Sequence, residues 1–411
     1  MCIYLEVFIL DRNNKLFCRV YQFCLRIGSL VLDWSQPKLV SGENSVLKIA
    51  DILKDENKKS VLIITDNMLK SLGLIDGLVK KLEEEKIKVS VFSDVQPNPT
   101  IENVENAKDF YFKNKCEAII AFGGGSPMDC AKGAGARISN PKRSINSMRG
   151  LFHVRKRLPL LIAVPTTAGT GSETTIAAVI TDSETHEKSA INSSKIRPLY
   201  AALDPALTTG LPQKITSTTG IDALTHAVEA YIGGSNTPST RRNAEKAVKL
   251  IFENLETAYN DGKNLEARNN MLLGSFCAGV AFTRAYVGYV HCIAHQLGGL
   301  YGVPHGLANA VILPYVLEYY GETAHKPLAR LASFAGIGEN LKTDKEKAEA
   351  FIAEIKAMER RMEIPEKFEQ IKEEDIPVIV KRALKEGNPL YPVPKIMTPT
   401  DCEKVVRSLM A

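Results

Sequence analysis

Ala118-Ile119-Ile120-Ala121-Phe122-Gly123-Gly124-Gly125-Ser126-Pro127-Met128-Asp129 decides the fold. Its opening apolar run reads as a strand buried on both faces, the habit of a parallel sheet. The run enters three glycines, which leave the backbone free of Cβ atoms and open to close approach by a ligand. Ser126 as N-cap, Pro127 at the first helical position and Asp129 two later predict a helix start. A helix beginning just past a strand end aims free N–H groups outward, a ready site for phosphate. The loop is neither a GxGxxG fingerprint nor a Walker loop, since no Gly-Lys-Ser/Thr follows. Gly124, Gly125, Ser126 and Asp129 are the candidate phosphate-loop residues.

Strand and helix signals alternate outward from this junction. Val61-Leu62-Ile63-Ile64-Thr65 is a second buried strand, ending in Asp66. A helix is predicted over 74–87, a strand over 89–93, the loop Gln96-Pro97-Asn98-Pro99-Thr100 and a helix over 101–114. Downstream, the strand 158–164 ends in Pro165-Thr166-Thr167-Ala168-Gly169-Thr170-Gly171-Ser172-Glu173. Hydroxyls and glycines at a strand end suit a polar cofactor. Asp66, also at a strand end, is placed to accept from both ribose hydroxyls of NAD and to repel the 2′-phosphate of NADP. After about residue 214 strand signals stop, and helices are predicted at 216–232, 238–259, 266–282, 287–298, 304–319, 324–336, 343–358 and 370–385. The expected architecture is an α/β N-terminal dinucleotide-binding domain with a parallel sheet over 37–214. An all-α C-terminal metal-binding domain follows over 215–411, with the cofactor and the metal meeting at a cleft. Residues 1–36 form an extension. Phe17, Val20, Tyr21, Cys24, Ile27 and Val31 recur there at helical spacing, predicting an amphipathic helix that docks on the protein's own body or on a partner subunit, or else lies on a membrane surface.

The helical half carries a concentration of imidazole. The chain has 7 histidines, and His291, His295 and His305 fall within one short stretch. His291 and His295 share a helical face, and Gly298-Gly299 with Gly302-Val303-Pro304 are expected to break the helix and return His305 to the same point. Upstream, Asp222 and His226 are again one turn apart. Two helices offering imidazole, with one carboxylate, make a divalent-metal site.

Composition narrows the remaining classes. The net charge of +5 over 411 residues is small, with Lys and Glu interspersed, so no nucleic-acid partner is expected. Eight scattered cysteines, without CxxC pairs, read as reduced thiols of a cytoplasmic protein. No run reaches the roughly 18 uncharged apolar residues of a membrane span.

Four stretches in order, 123–129, 165–173, 220–229 and 291–305, resemble the iron-containing (group III) alcohol dehydrogenases of the dehydroquinate synthase-like superfamily. The likeness runs from about Pro37 to the C-terminus. It implies that Asp222, His226, His291 and His305 bind the metal, Fe²⁺ or else Zn²⁺, and that His295 lies beside it without ligating. It implies that Asp66, Asn98, Gly125, Ser126, Thr166, Thr167, Thr175, Lys188, Leu207 and Gly210 contact NAD. Gly124, Asp129 and Thr170 join that set from their place in the two loops. The implied activity is reversible hydride transfer between NAD(H) and a small primary alcohol, diol or aldehyde, in a homodimer or higher homo-oligomer. A Lewis acid lowers the alcohol's pKa and His295 relays its proton. The rival readings are a glycerol-dehydrogenase-like polyol oxidoreductase and a metal-dependent hydrolase; the hydrolase has no use for Asp66 and the glycine loop. Thr283-Arg284-Ala285-Tyr286-Val287 departs from the family's smaller residues, so Arg284 and Tyr286 are expected to reshape the substrate pocket.

Overall fold

The computed structural model describes residues 14–29, 32–183 and 188–411. Among them the strands are β1 (Lys38–Ser41), β2 (Ser60–Ile64), β3 (Lys88–Phe92), β4 (Ala118–Gly123), β5 (Gly150–Leu151), β6 (Leu160–Pro165), β7 (Ala177–Thr181), β8 (Lys188–Asn192) and β9 (Tyr200–Leu203). Six of them form a parallel sheet in the order β1-β9-β6-β4-β2-β3. The register is continuous across its centre, where Ile120 pairs with both Ile63 and Ile162. The chain steps from β2 to β3 on one side, then crosses to β4 on the other. That reversal is a topological switch point, and the crevice outside the carboxyl ends of such strands is where open parallel sheets bind ligands.

The apolar runs are buried on both sides, as a parallel sheet requires. Leu62, Ile64, Ile119, Ala121, Leu161 and Ala163 pack one way, with residues of helices Ile101–Lys113 and Gly125–Ser139. Val61, Ile63, Ile120, Phe122, Ile162 and Val164 pack the other way, with residues of helices Ile49–Asp55 and Asp76–Glu84. Side chains alternating across a pleated strand produce this division. The short strands β5, β7 and β8 make a second sheet, in the order β5-β8-β7, that no sequence signal announced.

The chain divides into two compact units. Asp33–Leu211 and Gly262–Gly279 form the sheet-bearing unit. The helical unit comprises Pro212–Asp261, Val280–Ala411 and the N-terminal helix Lys15–Gly28. Its two central helices are Gln213–Ile232 and Tyr289–Tyr301, followed by His305–Tyr320. Among the described residues, no single helix is long and apolar enough to cross a membrane.

Two local expectations are corrected. The helix after β4 starts at Gly125 with Gly124 as N-cap, earlier than a Ser126 cap implies. The Ser126 hydroxyl instead accepts from the Asn98 N–H at 3.2 Å, and no side chain caps the first turn. Gly298 and Gly299 do not break their helix, which runs on to Tyr301; Gly302, at φ 67° in the left-handed region, ends it. An isolated glycine costs a helix only about 1 kcal/mol, which packing readily offsets, whereas a left-handed residue terminates it.

The N-terminal helix forms and packs within the helical unit. Much of its apolar stripe is exposed within this chain: Val20 is 54% and Ile27 53% exposed, and Cys24 is exposed, while Phe17 is part-buried and Cys18 and Gln22 are buried. Val31 lies outside the described residues. Polar groups do the docking. Arg19 donates to the Val393 and Pro394 carbonyls at 2.8 Å each, and Gln22 Nε2 to those of Pro389 and Tyr391 at 3.2 and 2.7 Å. A proline-rich loop has carbonyls that no helix or ladder takes up, and buried polar groups must find partners. Deleting residues 1–28 should therefore destabilise the protein by about 1–3 kcal/mol, the net worth of a few part-buried hydrogen bonds, while metal per folded chain is unchanged. Urea midpoints with elemental analysis check both, and loss of metal from a folded truncation contradicts it.

Candidate metal centre and dinucleotide-binding strand ends

Helix Gln213–Ile232 is buried along nearly its whole length and sets Asp222, His226 and Glu229 on one face through i, i+4, i+7 spacing. Helix Tyr289–Tyr301 contributes His291, and His305 opens the helix that follows. Asp222, His226, His291 and His305 each offer one donor atom, and all four atoms lie within 4.8 Å of one another. His291 Nε2 is 2.9 Å from His226 Nε2, and Asp222 Oδ1 is 3.7 Å from His305 Nε2. Three imidazoles and one carboxylate converging on one volume fit a divalent transition metal such as iron or zinc.

The surroundings support that fit. The Glu229 carboxylate accepts from His291 Nδ1 at 2.6 Å and from the Gly288 and Val290 N–H groups at 2.8 Å each. It therefore does two jobs. It satisfies N–H groups at the start of the His291 helix, and it fixes the His291 tautomer so that Nε2 keeps its lone pair. Burial holds the His291 imidazole well below its usual range, so it is neutral, as a ligand must be. Phe282 stacks on the His226 ring at 4.2 Å. A side chain at Gly288 is excluded, because its Cβ would lie 2.7 Å from Glu229 Oε1.

His295 takes a different position. Its side chain is 41% exposed, and its Nδ1 lies 2.7 Å from Glu386 Oε1. Its ring stacks on that of His305 at 5.3 Å. Gln296 and Tyr391 also donate to Glu386, at 3.2 and 3.3 Å. Arg284 and Tyr286 are part-buried at the end of helix Leu265–Ala285 and just beyond it, with Tyr286 at φ 67°.

In the sheet unit, most of the candidate cofactor residues follow strand carboxyl ends, while Lys188 opens β8. Asp66 follows β2 and caps helix Asn67–Ser71, its Oδ1 accepting from the Leu69 N–H at 2.9 Å. Its backbone bridges to Asp94 after β3, a second carboxylate that the sequence did not single out. Asn98 sits at φ 58° with its Oδ1 accepting from Lys188 Nζ at 2.8 Å, and its N–H meets Ser126. Gly124 and Gly125 face Thr167 and Thr170: an added Cβ would come within 3.3 and 3.2 Å of those side chains. Thr166 is buried, its N–H bonded to the Gly123 carbonyl at 3.1 Å. Leu207 packs on the sheet core, and Gly210 has open space beside it.

Beneath these loops lies a buried polar cluster. Lys132, fully buried, donates to Ser172 Oγ at 2.8 Å, Thr175 Oγ1 at 2.7 Å and the Ala177 carbonyl at 2.8 Å. Asp129 accepts from Ser172 Oγ and the Val179 N–H at 3.0 Å each. The Asp129 carboxylate and Thr175 hydroxyl are thus engaged within the protein and shape the loop from behind. Burial pushes the Lys132 ammonium down to about 8 and the Glu173 carboxyl up to about 7. The loop is clamped further where Gly171 meets Gly279 of helix Leu265–Ala285: a Cβ on Gly171 would fall 2.7 Å from Gly279 Cα.

Glu229 and Asn309 lie outside the sequence-predicted set, although the sequence carries a signal for both. Each continues the helical face of a named ligand, Glu229 from Asp222 and His226, Asn309 from His305. Glu386 and Lys132 carried no such signal.

Comparison with known proteins shows the family. A family model described as iron-containing alcohol dehydrogenase matches residues 36–205, and one described as Fe-containing alcohol dehydrogenase family, C-terminal, matches 216–410. The 1,3-propanediol dehydrogenase of Citrobacter freundii is 40% identical over 351 residues, covering 84% of this chain and 90% of its own length. The NAD-dependent methanol dehydrogenase of Bacillus methanolicus is 35% identical over 376 residues, covering 91% and 98%. A crystal structure of 1,3-propanediol oxidoreductase superposes with a TM-score of 0.89 at 36% identity, covering 92% of this chain and 100% of that one. With both halves matched in order, and relatives aligned over most of their own length, the chain belongs to the iron-containing alcohol dehydrogenase family.

Proposed function

We propose that this metal-dependent alcohol dehydrogenase interconverts a small primary alcohol or diol and its aldehyde with NAD(H), using Fe²⁺ held by Asp222, His226, His291 and His305. The observation that carries it is the convergence of those four donor atoms, with Glu229 holding His291 in the ligating tautomer. When bound, the ion supplies Lewis acidity to a substrate oxygen and NAD supplies the hydride acceptor. Three neutral imidazoles and one carboxylate leave a divalent ion with a formal charge of about +1, and Fe²⁺ takes a fifth or sixth donor more readily than a closed tetrahedral zinc site does. His295, exposed beside the ligand cluster and oriented through Nδ1 by Glu386, carries the hydroxyl proton outward. Residues 37–214 serve as the dinucleotide-binding part, where the uncapped first turn of helix Gly125–Ser139 offers N–H groups to phosphate. Residues 215–411, apart from Gly262–Gly279 in the sheet-bearing unit, serve as the metal-binding part.

Asp66 at the end of β2 accepts from the adenosine ribose hydroxyls, and this favours NAD over NADP. A carboxylate against a 2′-phosphate is a like-charge contact costing several kcal/mol once desolvated. The test is nicotinamide absorbance with a panel of alcohols and aldehydes, with NAD and NADP side by side, for wild type and Asp66→Gly, alongside elemental analysis of the purified metal. Wild type should prefer NAD, and Asp66→Gly should narrow the preference mainly by improving NADP use. A wild-type preference for NADP contradicts the role given to Asp66. Absence of turnover across the panel in metal-loaded protein contradicts the substrate class.

A further inference from the structure

Asn309 lies one turn after His305 on helix His305–Tyr320 and is fully buried. Its Nδ2 is 2.6 Å from Asp222 Oδ1, 3.1 Å from His291 Nε2 and 3.1 Å from His305 Nε2. Its Oδ1 is buried without a hydrogen-bond partner. An amide has two N–H donors, and here three acceptors from three different segments surround them. Those same three atoms belong to the four that converge within 4.8 Å. Among the described residues, Asn309 is the donor within hydrogen-bond distance of the buried Asp222 carboxylate.

We propose that Asn309 is a positioning residue that pre-arranges the ligand set, holding Asp222 toward the imidazole lone pairs before and during metal uptake. This rests on the metal reading above. The physical case is electrostatic. Four lone-pair-bearing atoms aimed at one small buried volume repel one another, and a buried carboxylate without donors is costly. Before uptake a neutral amide offers its two N–H groups to these acceptors without adding formal charge; with the single lone pair of each imidazole given to a metal, the bond to Asp222 would remain. A carboxylate or ammonium in its place would change the charge of the site, and an apolar residue would leave Asp222 without its donor. Carboxylate ligands are commonly oriented by such outer hydrogen bonds, and losing one typically lowers metal affinity by roughly 10–100-fold.

The experiment is Co²⁺ titration of metal-stripped wild type, Asn309→Leu and Asn309→Ser, with circular dichroism to confirm folding and visible absorption to read the Co²⁺ ligand field. Leu fills the volume without a donor, and Ser is too short to span the three acceptors. Both folded variants are expected to bind Co²⁺ roughly 10–100-fold more weakly than wild type, with an altered visible band, which a purely structural role does not produce. Wild-type affinity and an unchanged band in either folded variant overturn the proposal, as does failure of both variants to fold, which makes Asn309 a packing residue. Failure of wild type to take up one ion per chain is a separate outcome and overturns the metal reading itself.

Discussion

His291→Ala is expected to lose its metal, whereas His295→Ala keeps it. The two residues share one helix and one face, but their surroundings differ. His291 Nε2 lies 2.9 Å from His226 Nε2 and 4.0 Å from Asp222 Oδ1, deep in the donor cluster, with Nδ1 anchored on Glu229. Its removal leaves three donors and an opening for water. Metal affinity should fall by at least the roughly 10–100-fold that loss of an outer partner alone costs, and activity should follow occupancy. His295 is anchored on Glu386 outside the cluster. Its replacement should leave metal content and NAD binding intact while turnover falls roughly 10²–10⁴-fold, the usual worth of a positioned proton carrier. Metal per subunit, measured on both variants purified together, decides the matter: a metal-free His295→Ala beside a metal-loaded His291→Ala would invert the assignment.

Lys132→Met should be the most damaging change in the sheet unit. The ammonium is the common donor for Ser172, Thr175 and the Ala177 carbonyl, and it lies 3.9 Å from Asp129. Methionine fills most of the volume but takes the donor away from the buried Ser172 and Thr175 oxygens and the neighbouring positive charge away from Asp129. Removing one member of a buried charged set typically costs about 3–5 kcal/mol. The Thr-Gly loop that Lys132 holds from behind should then loosen, so NAD affinity falls in protein that remains folded. Denaturant unfolding and calorimetric NAD titration measure the two effects, and a variant with unchanged stability and NAD affinity shows that Gly171 against Gly279 suffices to hold the loop.

Much of the molecule was legible in one dimension. Continuous apolar runs announced β2, β4 and β6, a shorter interrupted one announced β3, and Gly124 and Gly125 marked where a backbone must approach something closely. The four-residue spacing of Asp222 and His226, and of His291 and His295, put each pair on one helical face before any coordinates. The same spacing extended to Glu229 and Asn309 and would have named both. Local periodicity is written in the chain because a helix or strand fixes which residues share a side.

What the chain alone left open was which sides meet. That Glu229 closes on His291, that Glu386 takes His295 away from the donor cluster, and that Lys132 reaches Ser172 and Thr175 depend on packing between segments far apart in sequence. The N-terminal helix is the plainest case. Its apolar stripe marked a face for burial on this chain or on another, and within this chain Arg19 and Gln22 make the docking hydrogen bonds, to carbonyls of 389–394. Apolar periodicity reports what a helix can bury; the unmet hydrogen-bonding needs of its neighbour decided what this one does bury, and those exist only once the tertiary structure has formed.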